Sequence, residues 1–290
     1  MSLIKKALVP MAGLGTRLFP ATLACRKELF PVVGPDGVAR PMLHFQLREL
    51  LSAGIEQIGL VVDPGGEEAI RRYFSGPSVD RRELYTQRPE HAKELNEMAR
   101  ILSCLEFIEQ SIPNGFADAV LCAKAFIGDE PFLLCTGDIL YRKGCHEKVT
   151  TAFELTPEKS LSAVTQVSAE QLHGYGTIGG ERLSESGLIE VKRMIEKPSP
   201  EVARSELHIE GLPKDTWLGW FGLHVFTPRL FDVLQVMTDE IREGELQLTE
   251  AQNRLMKLEG YRALELKNEE RFGFGLPGGL LDAMTGFAMR

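Results

Sequence analysis

Residues 13–31 read Gly13-Leu-Gly15-Thr16-Arg17-Leu-Phe-Pro20-Ala-Thr22-Leu-Ala-Cys-Arg26-Lys27-Glu28-Leu-Phe-Pro31 and follow a short apolar run directly. Glycines let a backbone fold tightly, so that its N–H groups turn toward phosphate oxygens. Arg17 adds a planar fork for two oxygens and Lys27 a point charge. The chemistry this suggests is the holding of a phosphate or another anion. Two other glycine motifs are excluded. A P-loop needs Gly-Lys-Ser/Thr after a four-residue gap, which is absent, and the dinucleotide fingerprint needs glycine where Leu18 stands. The charge distribution agrees with a local anion site. Residues 1–50 carry seven Lys/Arg against three Asp/Glu, so they are +4 in a chain of net charge −8. Charge alone fits ordinary surface scatter equally well, and the acidic remainder argues against nucleic-acid or membrane-surface binding.

The elements around this loop point to an α/β protein. Ala7 to Met11 and Ile58 to Val62 read as buried strands, with a helix over Met42–Ala53 that Gly54 stops. Glu67–Phe74 and Asp118–Phe126 read as helices, and Leu105–Ile108 and Phe132–Cys135 as strands. Apolar strands alternating with helices predict a parallel sheet covered on both faces. Residues 78–103 are polar with helical tendency and read as an insertion. Beyond about residue 160 the strands Leu161–Val167, Gly176–Gly180, Leu188–Ile195 and Leu218–Phe226 follow one another less regularly, so a mixed sheet is expected there. Helices are expected over Pro228–Met237, Leu248–Leu258 and Gly278–Met289. The 290 residues, 43% hydrophobic, suffice for one large domain without disulfides or metals to hold it. Five cysteines without a CxxC pair read as reduced core thiols of a cytoplasmic protein. No apolar run is long enough to span a bilayer, and the N-terminal stretch lacks the form of a signal peptide.

The string Gly-x-Gly-Thr-Arg-x-x-Pro-x-Thr-x-x-x-x-Lys-x-x-x-Pro resembles the signature of sugar-1-phosphate nucleotidyltransferases. The resemblance continues along nearly the whole chain and favours the bacterial UTP–glucose-1-phosphate uridylyltransferases. Gln110-Ser-Ile-Pro-Asn-Gly115 resembles that superfamily's base loop, and Asp129-Glu-Pro131, a strand and Asp138 resemble the segment presenting its catalytic aspartate. Tyr175-Gly176 and Glu196-Lys197-Pro198 resemble its sugar-phosphate segments, and Glu245-Leu-Gln-Leu-Thr249 a late motif of the uridylyltransferase branch. The implied fold is a Rossmann-like three-layer α/β/α domain with a mixed, mostly parallel central sheet. One domain spans residues 1–290, with a nucleotide-binding half of about 1–150 and a sugar-phosphate half of about 151–290. The implied substrates are UTP and glucose 1-phosphate, the cofactor is Mg²⁺, and a homo-oligomer is expected.

In the implied reaction a phosphate oxygen of the sugar 1-phosphate attacks the α-phosphorus of the triphosphate, and pyrophosphate leaves. The nucleophile is already an anion, so the barrier is one of charge and position. Carried over by the resemblance, Ala12, Gly13, Gly15, Thr16, Gln110 and Gly115 bind the nucleotide. Gly176, Glu196 and Lys197 bind the sugar and its phosphate, and Arg17, Lys27, Asp138 and Lys197 act on the reacting phosphates. Asp138, just past the strand Phe132–Cys135, suits a turn or a metal ligand equally by position, and the resemblance selects the metal. Gln110 offers a donor and an acceptor, which suits a pyrimidine imide. The six histidines show no metal-ligand spacing, and Trp217 and Trp220 read as core aromatics.

The sequence also departs from the pattern. Leu23 stands where the branch usually has Lys, Arg26 where it has Pro, and Trp217 where it has Asn; Gly34–Ala39 is a small insertion. Ala117 is closer to thymidylyltransferases. Gly273 stands where the family has the aspartate of Asp-x-Gly. The alternatives are therefore a glucose-1-phosphate thymidylyltransferase, or a catalytically weak nucleotide-sugar-binding paralogue.

Overall fold

Strands that are apolar on both faces must be covered on both faces, and the centre of this fold obeys that rule. The computed structural model describes residues 3–141, 144–183, 186–240, 244–266 and 271–288. Its strands are β1 (Lys6–Pro10), β2 (Pro31–Val33), β3 (Ala39–Pro41), β4 (Gln57–Val62), β5 (Leu105–Glu109), β6 (Phe132–Cys135) and β7 (Ile139–Tyr141). They continue as β8 (Ser160–Ser168), β9 (Gly176–Arg182), β10 (Ile189–Glu196), β11 (Thr216–Phe226), β12 (Tyr261–Glu265) and β13 (Arg271–Gly273).

Nine of these form one sheet in the order β5-β4-β1-β6-β11-β8-β12-β10-β9. The pairings β1–β4, β4–β5, β1–β6 and β8–β12 are parallel, and only β10 and β11 run against the other seven. The sheet is thus mixed with a dominant direction. Its far end turns back on itself, because β9 also pairs with β11 at Leu218↔Ile178 and Gly219↔Thr177.

Side-chain alternation sorts the core into two layers. Ala7 and Val9 of β1, with Leu133 and Cys135 of β6, pack against Leu43 and Leu47 of the helix Met42–Ser52. Phe153 of the helix Cys145–Phe153 joins that layer. Leu8, Phe132 and Leu134 face the other way, against Val120 of the helix Phe116–Cys122 and Phe231 of the helix Arg229–Glu240. This is the expected three-layer arrangement.

The polar segment at 78–103 forms two helices, Val79–Thr86 and Pro89–Ser103. The second packs Met98, Ile101 and Leu102 against the core and is also docked by charge. Arg40 Nε donates to Glu94 at 2.8 Å, and Arg48 Nη2 donates to Glu97 at 2.9 Å. The Gly34–Ala39 insertion is the tip of the β2–β3 hairpin, which carries Arg40. Five strands escape the sequence reading. β2, β3, β7 and β13 are three residues long, and β12 mixes Arg262 with apolar residues because the arginine is buried in an ion pair with Glu190. The cysteines need a correction: all five are free, but only Cys135 and Cys145 are buried, whereas Cys122 is exposed. The predicted final helix is Pro277–Gly286, and Met289 lies outside the described residues.

Phe132 is fully buried and stacks on Phe231 at 5.4 Å between ring centroids. Phe132→Ala is expected to destabilise the fold by about 3–5 kcal/mol in denaturant titration. A loss below about 1 kcal/mol would show that this layer is not tightly packed.

Candidate active site

The site grows from the ends of β1 and β6, where an open α/β sheet places its ligands. After β6 the chain turns through Thr136-Gly137-Asp138. That turn is fixed from three sides. Thr136 N–H donates to Gly222 O at 2.9 Å, and Gln46 Nε2 donates to Thr136 O at 2.8 Å. Phe274 N–H donates to Asp138 O at 2.9 Å. Gly222 has φ +79°, and a Cβ there would lie 2.4 Å from Thr136 Cγ2, so only glycine lets β11 cross this close. The Asp138 carboxylate, about one-third exposed, is met by Lys27 Nζ at 3.0 Å.

The glycine loop lies along the same edge. Gly15 is left-handed at φ +64° and opens a short 3-10 turn, Thr16–Leu18. Thr22 Oγ1 donates to Gly15 O at 3.3 Å. Ala12 is buried, whereas Gly13, Thr16 and Arg17 are exposed on the loop. Arg26 ties the loop down, donating to Met11 O at the end of β1 and to Asp63 just past β4. Glu28, beside Lys27, is 1% exposed. Burial pushes its carboxyl up to about 7, against the lowering effect of Lys27 and Arg26. Lys27 therefore lies between the Asp138 carboxylate and a buried acid in Glu28.

A cavity of about 910 Å³ opens beside Asp138. Gly176 and Glu196, paired across the β9–β10 ladder, form part of its wall. Glu196 Oε2 accepts from Thr249 Oγ1 at 2.7 Å. Lys197 follows in a left-handed conformation, φ 47°, with Nζ 3.7 Å from Glu196 and most of its side chain exposed. A Cβ on Gly176 would fall 1.8 Å from Trp220 Cζ2, so the room its missing side chain leaves is filled by an indole.

At the base loop, Gln110 is buried and its Nε2 donates to Gly115 O at 3.1 Å and to Asp118 Oδ2 at 2.7 Å. Both amide hydrogens are thus committed, and the carbonyl oxygen is the end left to read a ligand. Gly115, at φ +95°, opens the helix that begins with Phe116, and a Cβ there would meet Glu245 at 3.0 Å. Phe116 and Glu245 both line the cavity.

The structure thus joins Asp138, Gly176 and Glu196 around one space, with Lys27 on the Asp138 carboxylate, and sets Gln110 and Gly115 beside Phe116 of its wall. Arg17 and Lys197 are exposed and are not among its lining residues. Trp217 and Trp220 are both core, as read; the Trp217 indole donates to Ala203 O at 3.1 Å, and Trp220 also borders the cavity. The sequence reading also missed Arg271, Thr249 and Gln252 as lining residues. Arg271 lies 4.5 Å from the centroid of the Phe221 ring and donates to Tyr175 Oη at 3.3 Å. Arg271 was legible only as a neighbour of Gly273, and helical spacing from Thr249 was the one signal for Gln252.

Gly273 faces Ile139 across the β13–β7 pair, and a Cβ added there meets nothing within 4 Å. A Cβ on Gly275, in the bend just past β13, would lie 2.8 Å from Asp138 Oδ2. Position 273 has open space and no side chain in it, and Gly273 and Asp138 line the same cavity. Of the two nearest acids in sequence, Asp282 lies exposed in the final helix and Glu270 lies outside the described residues. Among the described residues, the group whose ligand atoms approach one another closely enough for a metal is His44, Glu94 and Glu97, within 4.8 Å. Both glutamates there are held by Arg40 and Arg48, so the group is an ion-pair cluster.

With this geometry in place, comparison with known proteins is informative. Residues 6–272 match the nucleotidyl transferase family. A UTP–glucose-1-phosphate uridylyltransferase of Streptococcus pyogenes is 34% identical over 290 residues, covering 94% of this chain and 87% of the relative. The structure of an apo UDP-glucose pyrophosphorylase superposes with a TM-score of 0.80 at 27% identity, covering 98% of both chains. A UDP-glucose pyrophosphorylase complexed with UDP-glucose superposes with a TM-score of 0.76, also at 27% identity and over 98% of both chains. The chain belongs to the nucleotidyl transferase family.

Proposed function

We propose that this chain transfers a uridylyl group from UTP to glucose 1-phosphate, giving UDP-glucose and pyrophosphate. One observation carries the reading: Lys27 and Asp138 meet at 3.0 Å between the glycine loop and a cavity of about 910 Å³ bordered by Gly176 and Glu196. That is the junction at which a triphosphate and a sugar phosphate have to meet.

The reaction forms a bond from a sugar-phosphate oxygen to the α-phosphorus and breaks the bond between the α-phosphorus and the bridging oxygen, which leaves with pyrophosphate. Two mutually repelling anions have to be held together. Arg17 and Lys27 are the cations assigned to the triphosphate, with the N–H groups of Gly13, Gly15 and Thr16 beside them. Lys197, next to Glu196, is assigned to the sugar phosphate, and Glu196 to sugar hydroxyls. The carbonyl oxygen of Gln110 suits the N3–H of uracil and not the unprotonated N1 of adenine.

Asp138 is the residue assigned to Mg²⁺, which would neutralise charge on the phosphates. The fit is acceptable, because Mg²⁺ commonly keeps one or two protein carboxylates and takes its remaining ligands from phosphates and water. Five free thiols also suit a reducing, cytoplasmic setting.

Pyrophosphate release with glucose 1-phosphate should be faster with UTP than with dTTP, and negligible with ATP or GTP; a purine preference would refute the assignment of Gln110. Asp138→Asn should cut turnover by more than about 100-fold while retaining nucleotide binding, because a charge-stabilising contact of this kind is worth about 3–4 kcal/mol. Near-normal turnover would remove Asp138 from the reaction. Gly273→Asp places a second carboxylate in open space, and the Mg²⁺ concentration for half-maximal turnover should fall. An unchanged requirement would show that the glycine is not what limits metal capture.

A further inference from the structure

The wall of the cavity carries a lone cation among carboxylates. Among its described lining residues, Asp138, Glu196 and Glu245 are acids and Arg271 is the one base that stays charged. Burial drives the His224 imidazole, also on the wall, down to about 3, so that group is neutral. A sugar 1-phosphate brings more negative charge into this space, and carboxylates repel it unless a cation receives it.

The lysines assigned to the phosphates each stand beside a carboxylate. Lys27 lies 3.0 Å from Asp138 and Lys197 lies 3.7 Å from Glu196. Arg271 stands beside none among the described residues. Its hydrogen bond there runs from Nη2 to the neutral Tyr175 Oη at 3.3 Å, while Nε and Nη1 take no partner and neither is sealed from contact. Gly273, two residues on along β13 and on the same strand face, puts no carboxylate next to it. The guanidinium is also held in place. Its Cζ lies 4.5 Å from the centroid of the Phe221 ring and 5.7 Å from that of Tyr175, and both residues line the cavity. Aromatic faces attract a cation without neutralising it, so the fork keeps its charge and loses little freedom when it meets an oxyanion.

The position of Arg271 selects which phosphate it meets. On one side it pairs with Tyr141 across the β13–β7 ladder, three residues past Asp138, and the Asp138 carbonyl accepts from the N–H of Phe274, three residues past Arg271. On the other side Tyr175 accepts from Arg271 through its hydroxyl and from the Lys197 N–H through its carbonyl, at 3.2 Å. Arg271 therefore sits on the seam between the Asp138 turn and the segment assigned to the sugar. We propose that Arg271 binds the phosphate of the sugar 1-phosphate, its fork donating to two phosphate oxygens and holding the attacking group toward Asp138. This deepens the uridylyltransferase reading and rests on it for the identity of the sugar phosphate.

The test is calorimetric binding of glucose 1-phosphate and, separately, of UTP to the wild type, Arg271→Gln and Arg271→Lys, with folding of each variant checked by thermal unfolding. Glutamine removes the charge and can still reach the Tyr175 hydroxyl. Lysine keeps a charge near the Phe221 ring and loses the fork. Kd for glucose 1-phosphate should rise about 10–100-fold in Arg271→Gln and about 3–10-fold in Arg271→Lys, with Kd for UTP changed less than about twofold. An unchanged Kd for glucose 1-phosphate in Arg271→Gln, or an equal rise for UTP, would overturn the proposal. If that variant does not fold, Arg271→Lys decides, and an unchanged Kd for glucose 1-phosphate there overturns it. A wild type that binds no glucose 1-phosphate refutes the contact itself. Turnover of the wild type is measured alongside: no UDP-glucose formed, while Arg271→Gln still weakens glucose 1-phosphate binding, would overturn the uridylyltransferase reading and leave the phosphate contact standing.

Discussion

The Lys27–Asp138 contact, 3.0 Å from nitrogen to oxygen, is the constraint that the surrounding structure is arranged to meet. A carboxylate placed where phosphates have to bind is useful only if cations hold its charge in check and the backbone fixes its position. Lys27 supplies the first. The second comes from strands distant in sequence: Gly222 of β11 receives the Thr136 N–H, Gln46 from the helix Met42–Ser52 takes the Thr136 carbonyl, and Phe274 beyond β13 caps Asp138 itself. Arg26 fastens the loop to the ends of β1 and β4, which keeps Lys27 beside Asp138. Where the related sequences usually have proline, this chain fixes the same loop with a guanidinium.

Much of the first half of the chain is legible because its signals are local. A glycine loop after an apolar strand, and an aspartate three residues past another, can be read without knowing what lies opposite. The second half is less legible for a physical reason. Its cavity wall is assembled from Gly176, Glu196, Trp220, Gln252 and Arg271, which come from four strands and a helix, and no spacing in the chain announces that they meet. Gly176 illustrates the difficulty. A glycine beside a sugar suggests backbone approach, yet the space it leaves is taken by Trp220. Likewise, the fifty-residue separation of His44 from Glu94 and Glu97 hides a cluster that only folding reveals.

Gly273 shows what a resemblance adds to residue-by-residue reading. Nothing in its own chemistry marks it, and only the family pattern identifies it as a missing carboxylate. The structure then shows open space at that position, on the cavity that Asp138 also lines. Under the proposed function, the burden of metal capture would fall on Asp138 and the substrate phosphates.

The proposed function requires that the reacting phosphates lie at Lys27 and Asp138, with the base toward Gln110 and the sugar against Glu196. A crystal structure of the protein with UDP-glucose tests this most directly. The account predicts the uracil imide on the Gln110 side chain, the diphosphate beside Lys27 and Asp138, and the glucose ring in the cavity against Glu196. A nucleotide sugar bound elsewhere, or bound with its diphosphate away from the Lys27–Asp138 pair, would contradict it.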